Sequence, residues 1–147
     1  MDATDRRILQ ELEIDGRISN VQLAERVNLS PSTCLRRVQE LERTGVIRGY
    51  RAVTDPARVG RGFVAYVTVG LSSHTKSAQE EFERAMAAAP DVVECHNITG
   101  AFEYLLRVES RDLASYKHFH TEDLGTHRHV SAITTYIVMS SPKDGRA

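Results

Sequence analysis

Residues 19–45, SNVQLAERVNLSPSTCLRRVQELERTG, predict two short helices joined by a tight turn. Ser19 is a good N-cap for the first helix, because its side-chain oxygen can accept a hydrogen bond from a free backbone N–H group. Asn28 can adopt the left-handed conformation that ends a helix. The second helix begins with Ser30 as its cap and Pro31 at the first helical position, where the missing N–H of proline costs nothing. Such a helical pair is typical of a helix-turn-helix, a DNA-binding unit.

A third helix is predicted upstream, in DRRILQELEIDGR (residues 5–17), so the N-terminal part forms a small three-helix core. Apolar residues three and four positions apart share one face of a helix, and that face packs against neighbouring helices. Ala24 is small and allows the next helix to cross close to it. The residues predicted to fill this core are Ile8, Leu9, Leu12, Leu23, Ala24, Val27, Leu29, Leu35, Val38 and Leu41.

The second helix of the pair is the predicted recognition helix, and one side of it is left free for DNA. The mean direction of Leu35, Val38 and Leu41 defines the buried side of this helix, and each residue is rotated by about 100° from the one before it. The residues that then point most directly away are Thr33, Arg36, Glu40 and Arg43, flanked by Ser32 and Arg37. The N-terminal end of a recognition helix enters the major groove. The base-contact candidates are therefore Ser32, Thr33 and Arg36.

Phosphate contacts are expected from the other arginines of this region. Arg37 and Arg43 lie on the recognition helix, whereas Arg48 and Arg51 follow it on a predicted strand; such side chains bind the DNA backbone irrespective of base sequence. A plain three-helix bundle whose arginines only face solvent remains the alternative. The complete predicted DNA-binding set is Ser30, Ser32, Thr33, Arg36, Arg37, Arg43, Arg48 and Arg51.

The rest of the chain changes character after a predicted connecting strand at residues 46–56 and a linker at residues 57–62. Strands are predicted at 63–71, 92–99, 103–109 and 130–139, and helices at 75–89 and 112–124. The order β-α-β-β-α-β is the ferredoxin-like arrangement. The fold class predicted for the whole chain is therefore α+β, with a DNA-binding domain at residues 1–60 and a βαββαβ domain at residues 61–147.

Composition is that of an ordinary globular protein, with 147 residues, 41% hydrophobic residues, 27% charged residues and a net charge of −1. Residues 1–60 contain ten arginines against nine acidic residues, and all three lysines lie beyond them. Arginine is the better residue for bidentate contacts to phosphate and guanine, so this asymmetry is a weak sign of DNA binding. No apolar run approaches the length of a membrane span, and no secretory signal is present, so a cytoplasmic location is expected.

Cofactors, metals and catalysis are not indicated by any motif. Cys34 and Cys95 fit no CxxC spacing and are expected to be reduced, partly buried residues. The histidines at 118, 120, 127 and 129 lack a metal-ligand spacing and are expected to be exposed to solvent. No GxSxG, P-loop, GxGxxG or zinc motif occurs, which argues against an enzyme. An interaction module that binds no ligand remains an alternative.

Two sets of motifs resemble those of the leucine-responsive regulator family, also called Lrp/AsnC or feast/famine. The first set is DGRIS (15–19), LSP (29–31) and RVQELERTGVIRGY (37–50), and the second is ECHNITGAFEYLL (94–106). The resemblance covers roughly residues 2–140. It implies a winged helix-turn-helix, a connecting strand and a RAM or ACT-like sheet domain. It further implies homodimers that assemble into octamers (tetramers of dimers), double-stranded DNA as a partner, and an amino-acid effector bound between sheet domains.

The turn at residues 99–103 is the predicted effector site. A free amino acid needs an acceptor for its ammonium and donors for its carboxylate, and Gly100 lets backbone approach a ligand or take a positive φ. The family usually has acidic residues where this chain has Ala101 and Glu103, so effector identity and response are open. By resemblance, the complete predicted set is Asn97, Thr99, Gly100, Ala101, Phe102, Glu103, Tyr104, Tyr136, Ile137 and Val138. The alternatives are a plain turn here and a ligand-independent DNA-binding or architectural protein of the same fold.

Overall fold

The computed structural model describes residues 1–145 and consists of two compact units, with the division between Ala52 and Val53. The first unit is helical, and the second is a four-stranded sheet with helices. The predicted α+β class is confirmed by these elements.

The first unit contains α1 (Ala3–Ile14), α2 (Asn20–Arg26) and α3 (Pro31–Arg43). The predicted caps are present: the Ser19 hydroxyl accepts from the backbone N–H of Gln22, and the Ser30 hydroxyl accepts from that of Thr33. Asn28 has a φ of 57° in the turn between α2 and α3. These two helices therefore begin and turn where their side chains supply the hydrogen bonds.

The core of the first unit differs from the prediction at one position of α3. Leu35 is 45% exposed, whereas Cys34 is 0% exposed and packs with Ile8 and Leu41. Because consecutive residues are about 100° apart around a helix, burying Cys34 turns Leu35 to the side. The predicted stripe was wrong here because the hydrophobicity of leucine was given more weight than the small size of cysteine.

The connecting strand predicted at residues 46–56 is not formed in the single chain. Between Gly45 and Phe63 the described backbone contains no strand, and the side chains of Val46, Tyr50 and Val53 are exposed. A strand exists only where a second strand pairs with its N–H and C=O groups. The predicted connecting strand is therefore wrong for the described chain, because no segment of residues 1–145 pairs with residues 46–56.

The second unit has the predicted β-α-β-β-α-β order. Its elements are β1 (Phe63–Leu71), α4 (Lys76–Ala88), β2 (Val92–Asn97), β3 (Tyr104–Ser110), α5 (Leu113–His118) with a π-helical turn (Phe119–Leu124), and β4 (Val130–Ile137). The strands are antiparallel in the order β2-β3-β1-β4. The predicted last helix is thus divided into α5 and the π-helical turn, and β4 ends before Val138.

The two faces of the sheet have different environments. The inner face packs on the helices, and the aromatic rings of Phe82 and Tyr104 lie 4.7 Å apart in that core. On the opposite face, Arg107 is only 6% exposed; it donates to the Tyr66 hydroxyl at 2.7 Å and to Glu109 at 3.2 Å. We use the term outer sheet face for Val64, Tyr66, Thr68, Leu105, Arg107, Thr134 and Tyr136, which pair across β1, β3 and β4.

Glu81 of α4 fastens the helix to the segment before β4. Its carboxylate contacts Arg128 Nη2 at 2.6 Å and His129 Nε2 at 2.9 Å. The hydrogen bond from Arg128, together with that from His129, lowers the pKa of Glu81 to about 2.

Replacement of Glu81 by Gln is expected to lower the melting temperature at neutral pH. A carboxyl whose pKa is depressed in the folded state stabilises that state above its unfolded pKa, and this contribution is lost as pH falls through the folded value. The difference between wild type and Glu81→Gln should therefore shrink between about pH 4.5 and pH 2. Thermal melts across this range measure it, and a difference independent of pH would show that the ion pair does not stabilise the fold.

Candidate nucleic-acid interface and effector site

The exposed side of α3 is set by its true buried residues, Cys34, Val38 and Leu41. At about 100° per residue, Ser32, Arg36 and Arg43 point most directly away from that core, with Gln39 next to them. Arg36 is exposed, and no ion pair to it is found among residues 1–145. This row is the surface that α3 can offer to a base edge.

Thr33 has moved from the centre of that surface to its edge. The Thr33 hydroxyl accepts a hydrogen bond from the Ser30 hydroxyl at 2.9 Å, and the Thr33 backbone N–H donates to the Ser30 hydroxyl at 3.3 Å. The side chain is half-buried as a result. The prediction that Thr33 points most directly outward is wrong, because the buried direction passes through Cys34. Ser30 acts as the cap of α3.

Arg37 is held by the first helix. Its Nη1 contacts Asp2 at 2.7 Å and Asp5 at 3.1 Å, and those two residues form the reciprocal capping box of α1. The hydrogen bond from Arg37 lowers the pKa of the Asp2 carboxyl. Arg37 was predicted to flank the outward face and contact phosphate. The geometry instead makes it a clamp between α1 and α3.

The remaining predicted phosphate contacts are exposed. Arg43 forms a bidentate pair with Glu40, with N–O distances of 2.9 and 2.6 Å. Exposed pairs of this kind contribute little free energy, so a phosphate can replace Glu40 as the partner of Arg43. Arg48 and Arg51 are exposed on the irregular segment after α3.

Gln39 is a candidate that the sequence analysis missed. Its amide is exposed on the same side of α3 as Arg36, and glutamine can form two hydrogen bonds to adenine in the major groove. The same helical geometry applied with Cys34 in the core would have found it.

The predicted effector turn lies between β2 and β3. Gly100 has a φ of +125°, a conformation that other residues rarely adopt, and Thr99 and Ala101 are exposed beside it. Asn97 Nδ2 donates to the backbone oxygen of Glu103 at 3.3 Å, which fastens the start of the turn to its end. Of the two roles expected for Gly100, close approach to a ligand or a positive φ, the structure shows the positive φ.

Glu103 has a well-defined environment. Its side chain is 17% exposed; Oε2 accepts the backbone N–H of Leu71 at 2.9 Å, and Oε1 lies 2.9 Å from His74 Nδ1. The absence of a side chain on Gly70 leaves room beside it, since a Cβ there would lie 3.6 Å from Oε2 and 3.6 Å from the ring of Phe102. Glu103 is therefore a carboxylate at the mouth of the turn, with partners on the last residues of β1 and the following loop. His74 and Leu71 were not predicted.

Two matching family models cover both units of the chain. "Winged helix-turn-helix DNA-binding" matches residues 1–48, and "Lrp/AsnC ligand binding domain" matches residues 64–147. The chain belongs to the Lrp/AsnC family. It is a DNA-binding transcriptional regulator with a domain for an amino-acid ligand.

Relatives of this Lrp/AsnC regulator are similar along nearly their whole length. It is 42% identical over 141 residues to a proline dehydrogenase transcriptional activator from Rhodobacter capsulatus, covering 96% of this chain and 92% of that protein. It is 39% identical over 143 residues to the leucine-responsive regulatory protein of Escherichia coli, covering 97% and 87%.

Solved structures have the same fold. A transcriptional regulator from Neisseria meningitidis, solved as an L-Met complex, is 38% identical with a TM-score of 0.94, over 98% of this chain and 93% of that one. An AsnC family regulator from Agrobacterium tumefaciens is 32% identical with a TM-score of 0.92, over 98% and 94%.

Tyr104 adjoins the turn of the regulator but directs its side chain into the core, and Tyr136, Ile137 and Val138 lie away from the turn in the single chain. Tyr104 is 1% exposed on the inner face against Phe82, and burial raises its pKa to about 12. In β4, Tyr136 pairs with Tyr66, and the two residues after it pair with still earlier residues of β1. The N–H of Glu103 instead bonds to Val69, so at about 3.3 Å per residue these residues are roughly 10–17 Å from the turn. The side chain of Tyr104 thus lies in the core, and the structure does not group Tyr136, Ile137 and Val138 with Glu103.

The histidines and cysteines of the regulator have structural environments. His118 is exposed as predicted, but His120, His127 and His129 are half-buried, so that prediction was wrong for three of them. They pack on other groups; the His127 ring, for example, meets the edge of Phe82 at 5.5 Å. Cys34 and Cys95 are free, and burial raises the pKa of both thiols, as expected for unreactive residues.

Two other kinds of feature are absent from the described part of the regulator. Within residues 1–145, no group of three or more His, Cys, Asp or Glu side chains is arranged to hold a metal. None of the helices in that range is both long and apolar enough to span a membrane.

Proposed function

We propose that this regulator reads operator DNA with Ser32, Arg36 and Gln39 on the outward side of α3, presented by paired subunits. The observation that carries the proposal is the clamp of Arg37 to Asp2 and Asp5, because it fixes α3 on α1 while Arg36 stays exposed. Arg43, Arg48 and Arg51 supply sequence-independent phosphate contacts.

Selection of bound DNA from a random pool tests this reading. Paired helix-turn-helix units bind half-sites about one helical turn apart. We therefore expect an enriched palindrome with that spacing. Enrichment of no sequence above the starting pool would contradict specific reading and favour an architectural role.

Pairing of subunits is proposed to occur through the outer sheet face. Helices cover only the inner face, while the outer sheet face presents Tyr66 and Tyr136 to solvent. Family resemblance extends this proposal from a homodimer to an octamer.

The effector is proposed to be a small amino acid bound at the Gly100 turn, with its ammonium on Glu103. Support comes from the Neisseria regulator, whose structure contains L-Met, and from the one carboxylate retained in the turn. A thermal-shift screen of the twenty standard amino acids tests it. A shift with none of them would favour the ligand-independent alternative.

Replacement of Glu103 by Gln is expected to weaken binding of the amino acid that gives the largest thermal shift by about tenfold or more. A hydrogen bond to a charged group contributes roughly 1.5–3 kcal/mol, and the amide removes the charge. DNA binding without effector should be unchanged, because Glu103 lies in the sheet domain. Calorimetry measures the affinity, with Glu94→Gln on β2 as the control. Equal affinities in wild type and Glu103→Gln would show that Glu103 does not contact the effector.

We further propose that the regulator acts without catalysis and in the cytoplasm. The family consists of transcriptional regulators, and such a protein acts where the chromosome is accessible.

A further inference from the structure

The carboxylate assigned to the effector ammonium already has two partners in this structure. Glu103 Oε2 accepts the N–H of Leu71, and Oε1 lies 2.9 Å from the imidazole of His74. The ammonium of an amino acid must therefore share these oxygens or displace one of the partners.

The two partners differ in how easily they can leave. Leu71 is the last residue of β1 and is paired with Val130 of β4, so its N–H cannot move without opening the end of the sheet. His74 lies in the loop before α4, and its side chain is 74% exposed. Side-chain rotation of an exposed loop residue is fast and disturbs little packing. His74 is the exchangeable partner.

We propose that His74 is a residue of the effector site, that it occupies the ammonium position when no effector is bound, and that the effector replaces it. The proposal rests on the effector site proposed above. Its consequence is a coupling between effector and proton. A protonated imidazole competes with the ammonium for one carboxylate, whereas a neutral imidazole competes much less. Histidine changes its charge between pH 5 and pH 8, so the effector should bind less tightly as pH falls within this range.

Other charged groups near this end of the sheet have contacts of their own. Lys76, at the start of α4, contacts Glu80 at 3.8 Å. Glu81 of the same helix holds Arg128 and His129, which precede β4. On β2, His96 contacts Glu94 at 3.1 Å. Among these contacts, only that of His74 engages the proposed effector carboxylate.

The second histidine–glutamate pair provides a matched control. His96 and Glu94 are close in a similar geometry, with side chains that are 55% and 31% exposed, but they lie on β2 away from Oε1 of Glu103. His96→Gln removes the same type of side chain without changing the proposed competition. Both histidines are exposed enough for glutamine to be accommodated, and thermal melts confirm the fold of each variant.

Isothermal titration calorimetry of the full chain tests the proposal. L-methionine, L-leucine and the remaining standard amino acids are titrated at pH 8 and pH 6, in two buffers of different ionisation enthalpy that report the protons released. For wild type and His96→Gln, we expect the affinity for the amino acid to be at least about fivefold lower at pH 6 than at pH 8. Fivefold is the lower end of typical coupling between two ligands. A fraction of a proton should be released on binding. His74→Gln should bind at least as tightly as wild type at pH 6, with most of the pH dependence and proton release gone.

Three results would overturn the proposal. Equal pH dependence in wild type and His74→Gln would show that His74 does not compete, while leaving the effector site itself intact. Weaker binding by His74→Gln at both pH values would make His74 a direct ligand contact. Absence of heat with every amino acid, in all proteins and at both pH values, would remove the effector site together with the role of His74.

Discussion

Replacement of Arg36 by Ala is expected to abolish selective binding to the operator while the fold is preserved. Arg36 is exposed on the outward row of α3, and a bidentate arginine–guanine contact contributes about 1–3 kcal/mol of discrimination. Paired subunits make this contact twice, so the substitution removes this discrimination free energy once at each half-site. Gel-shift titration on the selected palindrome and on a scrambled sequence should give affinities that approach each other.

Arg48→Ala is the matched control for that experiment. Arg48 is exposed on the segment after α3 and is expected to contact phosphate. Its loss should weaken binding to the palindrome and to the scrambled sequence alike, and it should flatten the dependence of affinity on salt. Unchanged selectivity in Arg36→Ala would show that α3 does not read the bases with this residue.

A charge placed at the centre of the outer sheet face is expected to convert the assembled protein into monomers. Thr134 is half-buried and pairs with Thr68 in the middle of that face. An arginine there would bury an unpaired charge in each subunit of a dimer, and uncompensated buried charge typically costs about 3–5 kcal/mol. Light scattering at micromolar concentration should show Thr134→Arg as a monomer, and its affinity for the palindrome should fall because only one half-site is held at a time.

Ala87→Arg serves as the control for the interface. Ala87 is exposed on α4, away from the outer sheet face, and arginine is a good helix former. This variant should assemble as the wild type does. Assembly of Thr134→Arg to the wild-type size would place the subunit contact on another surface.

Local chemistry explains which parts of the fold could be predicted from the sequence. The caps Ser19 and Ser30 act on N–H groups within three residues, and the positive φ of Gly100 is a property of the glycine itself. Such features are encoded next to where they act. Their positions were therefore predicted correctly from short stretches of sequence.

Features that depend on distant residues could not be predicted in this way. Arg37 was interpreted as a free cation because nothing near it in sequence shows that Asp2 and Asp5 lie against it. The separation of Tyr136 from Glu103 is set by the register of β4 on β1, which involves three strands. His74 reaches Glu103 only because β1 and β3 pair. Hydrophobic periodicity predicts the elements but contains no information on these contacts.

The Asp2 clamp has a practical consequence for how the protein is produced. Asp2 both caps α1 and holds Arg37 of α3, at an N–O distance of 2.7 Å. A purification tag fused ahead of Asp2 would emerge directly beside the helix that reads DNA, and a histidine tag would bring competing cations to the same carboxylate. Operator affinities measured on such a fusion would then report the tag as well as the regulator, so the tag should be cleaved before any titration.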